Sequence, residues 1–260
     1  MEPYLRLRQV CLVAPDLAPA ERAITEALGL EVCHRDPHVA AYGLENALWP
    51  VGGMFLEVVA PTRPGTAAGR FLDRSGGRGG YMAIFDCSDP ERRRDHARAL
   101  GLRVATDVRH DAYTGVQLHP RDCRAAMIEF NRTEGGGRDP DRYAPAGPDW
   151  RRAVRSNRTQ RIDAVLIESP RPHDLARHWA AIVERPLHEG AEGPELRFAE
   201  AAIRFTPSPG KVEQLGERLA GLKVAVADPT TVLAAANALG LSRTSRGFLA
   251  CGIEWALAAP

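Results

Sequence analysis

Hydrophobic and polar positions along the chain fall into one pattern that is repeated four times. Each copy has a short apolar run with strand character, a polar capping residue, an amphipathic helical stretch, and a closing Leu-Gly or its substitute. The first runs from Gln9 to Asp16 and through a helix to Ala27-Leu-Gly-Leu30. The second runs from Tyr81 to Asp89, with Pro90 opening a helix that ends at Ala99-Leu-Gly-Leu102. The third runs from Ile162 to Ser169, with a helix through Leu175, Trp179, Ile182 and Val183 that ends near Glu184-Arg-Pro-Leu187. The fourth runs from Leu222 to Asp228, with Pro229 at the first helical position and Ala238-Leu-Gly-Leu241 at the end. Asp16, Asp89 and Asp228 can accept the free amide hydrogens of a first helical turn, and Pro90 and Pro229 forfeit no bond there. Gly29, Gly101 and Gly240 supply the left-handed residue that ends a helix.

Each helix is followed by short alternating segments broken by Gly and Pro, the pattern of antiparallel strands. The unit is therefore one strand, one helix and about three strands. One such unit leaves a sheet face bare, so units must pair. The Gly- and Pro-rich stretch from Glu134 to Pro148 has no periodicity and predicts a linker between two pairs. The expected division is a first domain over residues 1–132, a linker over 133–157 and a second domain over 158–260.

Composition narrows the class. With 34 basic against 33 acidic residues the net charge is +1, too weak a field to gather nucleic acid or an anionic membrane. All the basic residues except Lys211 and Lys223 are arginines, and they are scattered, which reads as compositional bias and not as a recognition surface. No apolar run approaches the roughly 20 residues that span a bilayer, and the charged N-terminus lacks the apolar core of a signal peptide. The expectation is a cytoplasmic protein with no nucleic-acid or membrane partner. Five cysteines, none in a CxxC pair, predict reduced and mostly buried thiols.

Alternation along the strands selects candidate chemistry. Val10 and Leu12 share one face of the first strand, with Gln9 and Cys11 opposite; Met54, Leu56 and Val58 oppose Glu57. Met82 and Ile84 are expected to oppose Tyr81, and Ile128 and Phe130 to oppose Glu129. If the aliphatic faces carry the helices, Gln9, Glu57, Tyr81 and Glu129 line the concave side. Two carboxylates in such a cup repel each other, so either a cation neutralises them or one holds a proton. The bland alternatives are solvated glutamates on an open sheet, a Tyr81 that only packs, and a Gln9 bonded to neighbouring backbone. His119, in Leu118-His-Pro-Arg-Asp122, reads as a turn residue and as a secondary candidate for substrate contact, together with Cys11. His34, His38 and His110 lie in polar surroundings. His173 and His178 are five apart on one helix, which is not a metal-pair spacing.

The doubled strand-helix-strands unit, with Met54-Phe-Leu-Glu-Val-Val-Ala-Pro61, Gly69 to Arg74, Gly79-Gly-Tyr-Met-Ala-Ile84, Leu118 to Asp122 and Met127-Ile-Glu-Phe130, resembles the vicinal-oxygen-chelate superfamily. That superfamily includes glyoxalase I, methylmalonyl-CoA epimerase, bleomycin-resistance proteins and extradiol dioxygenases. The resemblance implies an α+β fold of four tandem βαβββ units forming two glyoxalase-like cupped-sheet domains. It places metal ligands at Gln9, Glu57, Tyr81 and Glu129, where relatives commonly have His, Glu or Gln, His and Glu. Tyr81 in place of His is the serious departure, so the metal set narrows to Gln9, Glu57 and Glu129. The cofactor implied is a divalent metal (Mg, Mn, Ni or Co), or none.

The matching positions of the second half, Ala164, Arg204, Lys223 and Glu254, hold no histidine, which argues against an iron dioxygenase. Arg204 and Lys223 are expected to neutralise Glu254. The function implied is a lyase or isomerase acting on a small oxygen-rich carbonyl or carboxylate compound, through a metal or a glutamate acid/base pair, with Glu57, Glu129 and Tyr81 as catalytic groups. The alternative is a non-enzymatic small-molecule binder of the bleomycin-resistance type. A homodimer is compatible with either.

Overall fold

A computed structural model of the chain describes residues 3–208 and 216–260. The strands form two seven-stranded sheets. The first is ordered β2-β3-β1-β4-β7-β6-β5 and the second β13-β14-β12-β8-β11-β10-β9. Here β1 is Leu5–Val13, β2 Leu44–Val51, β3 Met54–Pro61, β4 Gly80–Cys87, β5 Val104–His110, β6 Tyr113–Leu118 and β7 Met127–Thr133. In the second sheet β8 is Thr159–Ser169, β9 Leu187–Gly190, β10 Gly193–Arg197, β11 Ala202–Pro207, β12 Arg218–Val226, β13 Gly247–Ala250 and β14 Ile253–Ala258. The helices are α1 (Leu17–Leu28), α2 (Ala67–Ser75), α3 (Pro90–Ala99), α4 (Pro120–Cys123), α5 (Pro172–Val183) and α6 (Pro229–Ala238). This is the expected α+β architecture of tandem βαβββ units in two cupped sheets.

The capping chemistry accounts for where the helices begin and end. Asp16, Asp89 and Asp228 each accept a backbone N–H of the first turn that follows, and Pro90 and Pro229 open α3 and α6. Gly29 caps α1 in the left-handed region, while Gly101 and Gly240 take it one residue after the caps of α3 and α6. In α5 the same geometry falls on Glu184, at φ 52°, a non-glycine position held by its ion pairs. Two helices escape the sequence pattern: the four-residue α4, where a turn is expected, and α2. Thr66 caps α2 by accepting from the Gly69 amide, inside a stretch that reads as loop.

The four copies are not equal. The second and third have three strands after their helix; in the first and fourth the leading one of these is reduced to a single bridge, His34 to Leu48 and Arg243 to Phe248.

The chain divides into two compact units, each containing two copies of the repeat. One comprises residues 1–8, 82–144 and 164–219, the second and third copies. In it Trp179 of α5 is fully buried, stands edge-on to Phe205 and donates from Nε1 to the Cys123 carbonyl at 2.9 Å. Phe85 lies 5.7 Å from Phe130 and 5.4 Å from Phe198. Glu184 receives Arg92 through a two-pronged pair at 2.6 and 2.7 Å and Arg93 at 2.7 Å.

The other unit comprises residues 9–81, 145–163 and 220–260, the first and fourth copies. Here α1 packs on α6. Val10, Leu12, Leu56 and Val58 are buried on the face that carries α1, where Trp49 donates to Thr25 at 3.1 Å. Thr159 donates to the Leu28 carbonyl at 2.7 Å at the end of α1. Gly79 sits where backbones converge: its carbonyl accepts from Val13 at 2.7 Å, and a Cβ there would stand 2.1 Å from the Cys251 carbonyl oxygen.

No movement of a flexible side chain relieves that approach, because both obstructing atoms are backbone. Gly79→Ala is therefore expected to lower stability by about 3 kcal/mol, the upper end for overpacking. Urea denaturation reads this directly; an unchanged midpoint would show that the strands can part without loss.

Candidate functional site

The first constellation is built on β1, β2 and β3. β1 runs parallel to β3 with Gln9 opposite Phe55 and Cys11 opposite Glu57. β2 runs antiparallel to β3 with Asn46 opposite Val59 and Leu48 opposite Glu57. Gln9, Cys11, Asn46, Phe55 and Glu57 therefore share the face away from α1. Glu57 is 8% exposed, and both its oxygens accept from amides: Oε2 from Gln9 Nε2 at 2.8 Å and Oε1 from Asn46 Nδ2 at 2.6 Å. Cys11 is buried on the same face, and its thiol points to the Leu12 carbonyl at 3.6 Å. Trp150, from the Gly- and Pro-rich stretch expected to be only a linker, is buried edge-on against Phe55 at 5.0 Å. Aromatic cover thus lies on the same face as the buried carboxylate.

The second constellation lies in the other unit. β4 pairs in parallel with β7, setting Met82 opposite Met127, Ile84 opposite Glu129 and Phe85 opposite Phe130. Glu129 is 4% exposed. Its Oε1 accepts from the Tyr113 hydroxyl and, at 3.1 Å, from Asn131 Nδ2; its Oε2 accepts from Gln117 Nε2 at 2.8 Å. Tyr143 closes the cluster from the Gly- and Pro-rich stretch, 3.4 Å from Asn131, with the Arg8 guanidinium 5.3 Å from its ring. Burial, and then the charge of Glu129, push the Tyr113 phenol well above its usual range, so it is a proton donor at neutral pH.

This register corrects the expected orientation of β4. Met82, Ile84 and Asp86 share the face of Glu129, while Tyr81 alternates with Ala83 and Phe85 on the face of Phe130, which carries α3 through the Arg93 guanidinium 5.7 Å from that ring. Tyr81 packs on Phe71 of α2 at 4.9 Å, and burial pushes its phenol up to about 12. The physical reason is that β4 is apolar on both faces, with Met82, Ala83, Ile84 and Phe85 all buried, so alternation carries no sign of which side is concave.

His119 serves as the N-terminal cap of α4, its Nδ1 accepting from the Arg121 amide at 3.3 Å beside the Arg103–Asp122 ion pair. In the second sheet Arg204 pairs with Glu195 at 3.1 Å and Glu192 at 3.0 Å, and Glu254 pairs with Arg246. Arg204 is thus committed to Glu192 and Glu195, whereas Glu254 was its expected partner. His178 Nε2 lies 2.7 Å from the Asp122 carbonyl oxygen and His173 lies 3.4 Å from Glu189; both contacts are structural.

Sequence reading missed Asn46, Tyr113, Gln117, Asn131 and Tyr143. A polar Asn46 within the apolar run Leu44–Val51 is the one local signal among them. The others acquire meaning only from strand pairing, Gln117 opposite Glu129 and Tyr113 opposite Thr133.

Two cupped sheets of tandem βαβββ units with buried glutamates on the strands define a vicinal-oxygen-chelate protein. Residues 10–183 match the model of the glyoxalase-like domain, and the chain belongs to that family. A hypothetical protein from Staphylococcus aureus superposes with a TM-score of 0.65 at 11% identity, covering 99% of this chain and 100% of its own. A triple mutant of 4-hydroxymandelate synthase from Streptomyces coelicolor gives 0.62 at 16% identity, covering 94% of this chain and 78% of its own. These two show the fold alone. A point variant of Streptomyces coelicolor methylmalonyl-CoA epimerase, in complex with 2-nitronate-propionyl-CoA, aligns over 49% of this chain and 94% of its own, at 23% identity and a TM-score of 0.45. No curated protein sequence matches the chain. Among the described residues no helix is long and apolar enough to cross a membrane.

Proteins of this superfamily often hold a divalent metal. The residues expected to hold it here do not fit one. Gln9 turns its N–H group, and not its carbonyl, toward Glu57, and Asn46 does the same from the other side. Glu129 is held by a phenol and two amides, and the residues on its face of β4 are Met82, Ile84 and Asp86. Donor hydrogens converging on a carboxylate complement an anion, and a cation placed among them would be repelled.

Asp86 adds a pH response. It accepts from Tyr4 at 3.2 Å and Arg6 at 3.4 Å, yet burial raises its carboxyl from 3.8 to about 6, the arginines only partly opposing. The folded protein then binds a proton that the unfolded chain has released. Stability should fall as pH rises from about 4 to about 6, by up to about 3 kcal/mol from this group. Comparing urea-unfolding free energies of wild type and Asp86→Asn across that window should show the slope reduced in the variant; equal slopes would remove Asp86 as its source.

Proposed function

We propose that the protein is a metal-independent lyase or isomerase for a small oxygen-rich carbonyl or carboxylate compound, with Glu57 as its base. The observation that supports this reading is the setting of Glu57, a buried carboxylate oriented on both oxygens by neutral amides. The amides hold both oxygens in a fixed orientation, and a carboxylate so positioned can accept a proton from substrate. The step is abstraction from the carbon next to the substrate carbonyl. The C–H bond breaks, the proton passes to Glu57, and the electron pair spreads onto the carbonyl oxygen. Returning the proton to carbon completes an isomerisation, and loss of a neighbouring leaving group completes an elimination. In the other unit Glu129 and Tyr113 form a hydrogen-bonded acid/base pair, the second candidate for the same chemistry.

A binding protein without chemistry is the competing reading, favoured by the Phe55–Trp150 pair on the face of Glu57, which offers an aromatic surface to an apolar ligand. One experiment separates the two. A panel of small hydroxycarbonyl, 2-oxo and dicarboxylate compounds is incubated with enzyme in D₂O, and deuterium uptake next to the carbonyl is followed by proton NMR. Uptake is expected for at least one compound, unaffected by chelator, and about 10²–10⁴-fold slower in Glu57→Gln with the melting temperature retained. Ligand-induced thermal stabilisation without uptake, preserved in that variant, would establish binding instead. Loss of uptake with chelator would overturn metal independence.

A further inference from the structure

Asn46 is 3% exposed, and both ends of its side chain are committed. Its Oδ1 accepts from the Asp36 amide at 2.8 Å, and its Nδ2 donates to Glu57 Oε1 at 2.6 Å. A backbone N–H can only donate, so the carbonyl end of Asn46 must face Asp36 and the NH₂ end must face Glu57. The orientation of the amide is thereby fixed by the main chain. Asp36 in turn caps the short 3-10 turn Pro37–Tyr42 by accepting from the His38 amide at 2.9 Å. The adjacent Arg35 donates to the Asn46 carbonyl at 3.3 Å and to Glu21 at 2.6 Å. One side chain therefore links a surface segment, residues 35–42, to the buried carboxylate.

We infer that Asn46 is a positioning residue that fixes the orientation and charge of Glu57 and couples them to the order of the 35–42 segment. The inference rests on the proposed reaction for its catalytic meaning, but its physical content is separate: Glu57 should respond to the donor at Asn46 whatever the protein does. A residue that only anchored the segment would need Oδ1 alone.

Asn46→Asp divides the two roles. An aspartate keeps an acceptor for the Asp36 amide but turns a second carboxylate toward Glu57, and a like charge at that distance opposes ionisation of the pair. Asn46→Ser, which retains a small acceptor and withdraws the Nδ2 donor, supplies the second variant should the aspartate prevent folding. The measurement is a carbon-13 NMR titration of side-chain carboxyls in glutamate-labelled protein, with the Glu57 signal assigned by its absence in Glu57→Gln. Amide hydrogen exchange at Asp36 is followed alongside.

In Asn46→Asp the midpoint of the Glu57 signal should rise by about one pH unit or more, with Asp36 still protected; Asn46→Ser should raise it less. Deuterium uptake by substrate should lose kcat by at least about tenfold, with KM moved less, and the acid limb of its pH profile should shift upward in step with the carboxyl signal. An unmoved Glu57 midpoint in folded Asn46→Asp would overturn the inference. Should the carboxyl shift as expected while wild-type protein exchanges no substrate proton, the reaction proposed above fails and the role of Asn46 stands.

Discussion

A carboxylate removed from water must be met by donors, and the strands that bury Glu57 and Glu129 are paired so as to meet both. Leaving either without partners would cost several kcal/mol. Cations and N–H or O–H groups are alternative answers to the same demand. Here Glu57 takes amides from Gln9 and Asn46, while Glu129 takes the Tyr113 phenol and the amides of Gln117 and Asn131. The same backbone that carries a chelate elsewhere in the superfamily thus sets amide and phenol donors around these carboxylates in this chain.

Supporting that arrangement requires rigid strands, and the repeat provides them. Each compact unit combines two βαβββ copies, the second with the third and the first with the fourth. Within each, the apolar faces of the strands are closed by helices, and α1, α3 and α6 carry aspartate caps encoded locally. Tyr143 and Trp150, both from the Gly- and Pro-rich stretch, are buried in different units, Tyr143 beside Asn131 and Trp150 against Phe55. A segment without periodicity therefore contributes packing where composition predicted only a tether. Two aromatic rings bury enough apolar area to hold such a segment against the entropy of its glycines.

Legibility follows the range of the interactions. Asp16, Asp89 and Asp228 bond to amides two or three residues away, so their roles can be read from a window of sequence. The faces of β3 and β7 are legible for a similar reason: each sets a glutamate between apolar neighbours, and period-two alternation then identifies the side. In β4 both sides are buried and apolar, the alternation is silent, and Tyr81 was assigned to the face that Met82 occupies. Helix α2 was hidden because its start depends on one threonine cap within a stretch rich in turn residues.

Read alone, the chain specifies the repeat, helices α1, α3, α5 and α6, the aspartate caps of three of them, the fold, and the presence of glutamates on largely apolar strands. These follow from propensity, periodicity and bonds between near neighbours, which act before any long-range contact forms. What those glutamates face is set by strand pairing. Asn46 reaches Glu57 because β2 folds back on β3, and Tyr113 and Gln117 reach Glu129 because β6 lies along β7. A one-residue shift in either register would exchange donors for the opposite face, so the partners of a buried charge are a property of strand pairing and cannot be read from any one strand.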